Sequence, residues 1–373
     1  MSSIADQGVC VTGGVDTHAE FHVAAVVDRV GRVLGTESFP VNVAGYTAVL
    51  AWMRSHGPLG VVGVEGTGSY GTGLTRHLAA QGVSVVEVIR PNRQTRRRRG
   101  KSDSVDAVAA ALAALNGDAS GAPKSHDGAV ESIRALRVAR RGAVKAATQA
   151  GNQLRDLVIT APEPLRATLV SLSTDARVTL AARFRPGALT DPIAAIKQAM
   201  ASVARRHQEL RAEIARLDAA LEQLVPNVAP ASFLAQRGVG LQVAAMLLTT
   251  LGDNPARLRS EASFAALCGV SPVDASSGKQ RRHRLNSGGD RQANSALWRI
   301  VFVRMSRDPR TQAYVARRTA EGKTTKEIIR CLKRYVAREV YKTLIRPAGA
   351  TTLTRPSCLT TTTEQGIADE SAP

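Results

Sequence analysis

Apolar and polar positions change their period along this chain, and the changes divide it. From Gly8 the runs GVCVTGGVD, FHVAAVVD and GRVLGTESF are short, rich in strand formers and separated by turn residues. They predict three strands in an antiparallel meander. AGYTAVLAWMRSHG then repeats its apolar residues at helical spacing, with Leu50 and Met53 on the apolar side and Gly57 as a stop. LGVVGVEG reads as a buried strand, YGTGLTRHLAAQG as a helix and VSVVEVI as a further strand. SVDAVAAALAALNG is alanine-rich and helical up to Gly117.

The resulting order, β-β-β-α-β-α-β-α, is that of the RNase H-like fold, and it assigns residues 8–120 to one α/β domain. A Gly/Ser/Ala/Asp stretch from Gly117 to Gly128 reads as a linker. Beyond it Ile193, Ile196, Met200, Val203, His207, Leu210, Ile214, Leu217, Leu221 and Leu224 alternate by three and four, the seam of a coiled coil. Such a helix would be roughly 48 Å long. A weaker seam runs through Ile133, Leu136, Ala143, Ala147, Ala150, Leu154 and Leu157. Residues 128–226 are therefore expected to form a helical coiled-coil arm, pairing within or between chains and joining protomers into a dimer or tetramer. Pro226 and Pro230 should end it. Residues 230–346 read as a compact, mostly helical domain, and 347–373 as a disordered tail without apolar period.

Composition narrows the function. An apolar share of 44% excludes wholesale disorder. A formal net charge of +19 points to a polyanionic partner, because lysines and arginines on phosphates release counterions. No apolar run is long enough for a membrane span, and MSSIADQG lacks a secretory signal, so a cytoplasmic, nucleoid-associated protein with no membrane partner is expected. Cys10, Cys268, Cys331 and Cys358 are scattered and read as reduced thiols. Aromatic residues at 3% argue against a protein that grips single strands mainly by stacking.

Four acids then take on meaning. Asp16 ends the first strand, Glu65 the fourth, and Asp103 and Asp106 share one face of the helix after the fifth. Alone, each reads as a cap or turn residue. In an RNase H-like sheet all four meet, and like charges so placed require cations. Two Mg²⁺ ions about 4 Å apart suit such a cluster and can clamp both oxygens of a displaced phosphodiester. His18 and His22, with Glu20 between, are read as sharing a strand face, with imidazole ligation the lesser reading. GKS at Gly100 ends like a Walker A loop, but Thr95 stands at its first glycine. GTGSYG, with Glu87 ending the next strand, imitates a dinucleotide fingerprint, yet no second βαβαβ half follows.

Arg90, Arg93, Arg96, Arg97, Arg98, Arg99 and Lys101 lead up to Asp103, and are read as phosphate contacts that hold the backbone on which the metals act. A second basic cluster follows Gly278: Lys279, Arg281, Arg282, Arg284 and Arg291. Ser276 and Ser277 precede it, and a serine beside glycine and cations suits either a turn or a nucleophile. GVGLQVAAMLLTTLGD reads equally as a helix-hairpin-helix or as packed helices. The last helix, TTKEIIRCLKRYVAREVYKTLIRP, turns Ile328, Ile329, Leu332, Tyr335, Val336 and Val340 inward, and its cations read as a solvated outer face.

Together GVDTHAEFHVAAV, VGVEGTGSYG, RPNRQTRRRRGKSDSVDA, GVGLQVAAMLLTTLGD, LCGVSP and SSGK followed by GGDRQANSALW resemble the transposases of insertion-sequence family one-ten, recombinases with an Asp-Glu-Asp-Asp tetrad. The resemblance covers most of residues 10 to 340. It implies a RuvC-like nuclease domain, a coiled-coil arm and a C-terminal transposase domain. It implies Asp16, Glu65, Asp103 and Asp106 as Mg²⁺ ligands and a serine nucleophile that maps to Ser277, with Ser276 the neighbouring choice. It further implies DNA substrates at element ends and target, and an element-encoded guide RNA whose pairing reads sequence. The expected activity is Mg²⁺-dependent recombination through serine attack on a phosphodiester. A RuvC-like junction nuclease using water, and an RNA- or DNA-binding scaffold with an idle tetrad, are the alternatives.

Overall fold

The computed structural model describes residues 10–88, 102–119, 121–277, 283–284 and 286–345. Strands β1 (Val11–Thr17), β2 (Phe21–Val27) and β3 (Val33–Pro40) form the antiparallel meander, followed by α1 (Val43–Ser55), β4 (Leu59–Glu65), α2 (Thr72–Ala80) and β5 (Val85–Val88). β4 lies parallel to β1, and β5 parallel to β4, giving one sheet in the order β3-β2-β1-β4-β5. Because side chains alternate across a strand, Val15, Ala24, Val26, Val62 and Val64 fall on one face, where they pack with α1 and α2.

The other face is covered by α3 (Asp103–Leu115), and two glycines decide how closely. A methyl group on Gly14 would lie 2.2 Å from the Ala111 nitrogen and 2.3 Å from the Ala107 oxygen; one on Gly63 would lie 2.4 Å from the Ala110 oxygen. Glycine inside a strand marks such a backbone approach. The alanine run supplies the complementary surface, with Ala107, Ala110 and Ala111 all buried. Ser102 caps α3, accepting from the Val105 N–H.

The linker does not float. Glu87 N–H donates to the Gly121 carbonyl at 2.7 Å, Lys124 Nζ to the Thr249 carbonyl at 2.8 Å, and Asn254 Nδ2 to the Pro123 carbonyl. Asp253, at the end of the LGD motif, caps the first long helix from a distance in sequence, accepting from Val130 N–H at 2.7 Å and Glu131 N–H at 3.2 Å.

That helix, α4 (Ala129–Ile159), packs lengthwise on α7 (Pro192–Val228) within the chain. Between them, α5 (Glu163–Leu169) and α6 (Thr174–Ala182) close the far end over Leu154, Leu169, Val178 and Met200. Of the long expected seam, Met200, His207, Ile214 and Leu221 are buried, whereas Ile196, Val203, Leu210, Leu217 and Leu224 are half-buried. One of the two interleaved heptad rows therefore faces α4 squarely and the other flanks the contact. Pro226 does not end α7, which continues to Val228: the proline is exposed in the last turn, and Ala229 N–H still reaches the Val225 carbonyl at 2.9 Å.

After α8 (Ala231–Leu234), the almost wholly buried α9 (Leu241–Leu251) forms the centre of a helical region with α10 (Glu261–Leu267), α11 (Arg291–Arg307), α12 (Pro309–Ala320) and α13 (Thr325–Val340). GVGLQVAAMLLTTLGD thus supplies the packed centre of this region. The region is not wholly helical: β6 (Val273–Asp274) pairs antiparallel with β7 (His283–Arg284). Among the described residues no helix is long and apolar enough to cross a membrane.

Candidate functional site

The β1–β4 register, Val15 opposite Val64, sets Asp16 beside Glu65 at the strand ends. Each acid stands two residues beyond a glycine under α3, so both lie on the face that α3 covers. Thr17 Oγ1 donates to the Glu65 carbonyl at 2.8 Å and ties the two ends together. Asp103 and Asp106 occupy the first turn of α3, Asp106 buried at 2% exposure. The glycine contacts thus deliver the helix's N-terminus to the strand ends.

Burial pushes the Asp16 carboxyl above the usual range, and the charges of Asp106 and Asp103 push the same way against His18. His18 Nε2 lies 3.1 Å from Asp16 Oδ2 and 3.5 Å from Asp103 Oδ1. Ligand atoms of Asp16, His18 and Asp103 all fall within 4.8 Å of one another. A buried carboxyl beside two others, with an imidazole drawn between two of them, is a donor set that favours a divalent cation.

The two histidines do not share a strand face. β1 ends at Thr17, so His18 sits in the turn and swings to the acids. His22 pairs with Thr17 and therefore points to the opposite side, fully buried and stacked on Tyr46 with centroids 5.8 Å apart. Neither of its ring nitrogens has a hydrogen-bond partner among the described residues, and burial pushes its pKa down to about 4. It is a core histidine. Glu20 is exposed in the turn. Glu87 accepts from Thr67 Oγ1 at 2.7 Å and so braces the GTGSYG turn, a structural use of the acid that imitated a ribose ligand.

Ser276 and Ser277 are exposed and follow β6 in the C-terminal region. Hydrogen bonds from the Ser276 side chain and backbone hold the Asp274 carboxyl below its usual range, with Ser276 N–H at 2.8 Å from Oδ1. Beneath, Gly289 presses on Gly269, where a methyl group would meet the Gly269 nitrogen at 2.2 Å. Asp290 caps α11 through Gln292 and Ala293, and Asn294 Nδ2 donates to the Cys268 and Gly269 carbonyls. LCGVSP and GGDRQANSALW are therefore two halves of one platform carrying the serine segment.

Arg284 lines a groove of about 780 Å³ with Arg318, Lys323, Arg330, Lys333 and Arg338. The cations of α13 expected on a solvated outer face instead look across this groove at β7, and Tyr335, expected inward, is 48% exposed beside them. Helical period alone placed Ile328, Leu332, Val336 and Val340 correctly in the core, but it could not show which element faces the polar side. Arg291 is exposed at the start of α11. Arg90, Arg93, Arg96 to Arg99, Lys101, Lys279, Arg281 and Arg282 lie outside the described residues, as does the tail. The sequence reading missed His18 as a partner of Asp103 and the glycines that seat α3; a glycine pair inside two otherwise apolar strands was the available signal.

Residues 13–161 match the model of the Asp-Glu-Asp-Asp transposases of IS110 type, described as a transposase. Residues 233–316 match the model described as the transposase IS116/IS110/IS902 family. The insertion element IS110 uncharacterized 43.6 kDa protein of Streptomyces coelicolor is 32% identical over 133 residues, which is 35% of this chain and 32% of that protein. The chain thus matches about a third of the length of that relative. Two separate stretches, one holding the acids and the other the serine platform, answer to models of the same family, and the chain belongs to the IS110 family of transposases.

Proposed function

We propose that this chain is a site-specific recombinase that cuts and rejoins DNA through a serine nucleophile beside a metal site on an RNase H-like, RuvC-like sheet. The observation that carries the reading is the carboxylate cluster of Asp16, Asp103 and Asp106, held together under a tightly seated helix. Asp16, Glu65, Asp103 and Asp106 would hold two Mg²⁺ ions, which when bound would neutralise the cluster and polarise the scissile phosphate. Ser277 Oγ forms a bond to phosphorus as the bond to the leaving DNA hydroxyl oxygen breaks; the serine proton leaves, and the departing oxygen gains one. A DNA hydroxyl later attacks the phosphoserine and restores the serine.

Ser277 is preferred to Ser276 because Asp274 already engages the Ser276 side chain, and an acid held below its usual range is a poor base. Arg284 and the cations across its groove hold backbone phosphates. An element-encoded RNA would supply sequence recognition by pairing. The helical arm would join protomers, so that acids of one chain act with the serine of another.

The test is a denaturing gel of labelled element-junction DNA incubated with protein, Mg²⁺ and the element's flanking RNA. A slow, protease-sensitive DNA band that requires Mg²⁺ and is lost in Ser277→Ala and Asp106→Asn supports serine recombination. Nicked ends that survive Ser277→Ala would mean a water-using nuclease. Strand transfer recovered on mixing the two inactive variants supports a site shared between protomers.

A further inference from the structure

Helix α11 buries Ala293, Ala296, Leu297, Ile300 and Val301 and exposes the opposite side. That side carries Trp298 and Phe302, 42% and 55% exposed, stacked on each other with centroids 5.1 Å apart and planes 21° from parallel. The chain has only 2 tryptophans and 6 phenylalanines, so placing one of each together in solvent is a large departure from ordinary burial. Arg291 and Arg299 are exposed on the same helix, which has no acidic residue between its capping aspartates.

At the N-terminal end of the same helix, where the linker and α4 meet α9 and α11, lies a cavity of about 200 Å³ lined by Lys124, Arg134, Arg137 and Arg141. Arg137 Nη2 donates to Gln292 at 2.7 Å, joining the cavity to α11. Burial, and after it the charges of Arg141, Arg140 and Arg299, push the Arg137 guanidinium down to about 10 against the opposing charge of Asp290. Burial lowers Lys124 as well, with Arg257 adding to it. Asp290 in the wall is already used by the Gln292 and Ala293 N–H groups and the Thr250 hydroxyl. Among the described residues Arg134 is ion-paired, to Glu131, while Lys124, Arg137 and Arg141 form no ion pair. Lys124 and Arg137 are half-buried and Arg141 exposed, and with Asp290 the one carboxylate lining the cavity the cations are in excess, so a further anion would relieve them.

Three occupants can be weighed against these facts. A second copy meeting this face about a two-fold axis would bring the Arg291 and Arg299 cations of both copies into one acid-free contact. A duplex would satisfy the cations but keeps its base faces stacked away from Trp298. Single-stranded nucleic acid satisfies both halves, since every unpaired base has a π-face and every nucleotide a phosphate. We propose that this face binds single-stranded nucleic acid, with a backbone phosphate at the Lys124–Arg137–Arg141 cavity and an unpaired base stacked on the Trp298–Phe302 pair. The proposal takes the class of partner from the function above and adds strandedness and place.

The full-length chain carrying Trp52→Phe leaves Trp298 as the sole tryptophan. Short oligothymidylate should quench its emission, whereas an abasic strand of equal length should bind without quenching. Trp298→Ala should weaken oligothymidylate roughly tenfold and leave abasic-strand and duplex affinity unchanged. Arg141→Gln should weaken both single strands and reduce the log–log salt slope by about 0.7. Unquenched emission in a protein that does bind oligothymidylate overturns the proposal and leaves the recombinase reading standing. A Trp298→Ala protein of unchanged affinity but smaller oligomeric state also overturns it, and marks the face as a protein contact. Loss of all binding to duplex and single strands in the unmodified chain would overturn both.

Discussion

In the N-terminal sheet the charges are drawn inward: Asp16 and Asp106 are buried, and α3 is locked over them by backbone contact at Gly14 and Gly63. In the C-terminal region the arrangement is reversed. Arg284 and the α13 cations stay at the surface around a groove, and Ser277 stands exposed. The first region supplies a fixed, self-repelling cluster of anions, and the second a cationic surface with a reachable hydroxyl. Under the proposed function a phosphate backbone with metal ions would neutralise both. The difference teaches that one region fixes its charged groups by close packing, whereas the other presents them along an open groove.

The strongest way to break that contrast is at Gly14. Gly14→Val places a side chain against the Ala107 and Ala111 backbone, which cannot retreat without lifting α3. A stability loss of about 3 kcal/mol or more is expected, with loss of Mn²⁺ binding. Urea unfolding and Mn²⁺ titration check it; unchanged metal binding would mean that α3 does not position the acids.

His22 sharpens the comparison through pH. It is neutral when folded, because burial lowers its pKa to about 4 from an ordinary value near 6.5. Its contribution is therefore present above pH 6.5 and lost as pH falls toward 4, a change of about 3 kcal/mol. His22→Phe keeps the stacking on Tyr46 and should flatten that part of the profile. Urea midpoints measured between pH 7 and 4 decide it.

On the C-terminal side, Thr324 and Glu327 form a capping box at the start of α13, next to the groove. Thr324→Ala should cost about 1 kcal/mol, read as a lower thermal midpoint, with little change in DNA affinity. The smallest effect belongs to Asp16. Its carboxyl is raised by burial and by Asp106 and Asp103, so its stability contribution is present at low pH and lost as pH rises through the folded pKa. Asp16→Asn should melt higher than the wild type at neutral pH without metal, and the gap should close in acid. Added Mn²⁺ should stabilise the wild type and leave the variant unmoved.

Much of this was legible from periodicity. The apolar runs located the five strands within about three residues, and the helical spacing found α1, α2 and α3. The four acids were legible only jointly with element order, since any one of them has an ordinary turn or capping use. The sharing of a face by His18 and His22 failed because a turn lies between them: His18 stands beyond the end of β1 and His22 on β2, so no period of two runs through both. Pro226 failed as a stop because buried Leu221 and Val225 outweigh one lost, solvent-facing hydrogen bond.

What the sequence determined by itself is element type and the apolar stripe of most helices, which depend on neighbours a few residues apart, together with the overall positive charge. Tertiary structure alone decided which distant groups meet. His18 between Asp16 and Asp103, Asp253 capping α4, Arg137 reaching Gln292 and the α13 cations facing Arg284 each join residues whose separation in the chain carries no period. Local preference acts over one turn or one pleat, while charges and hydrogen bonds act over a few ångströms of space, and only the packed fold converts one scale into the other.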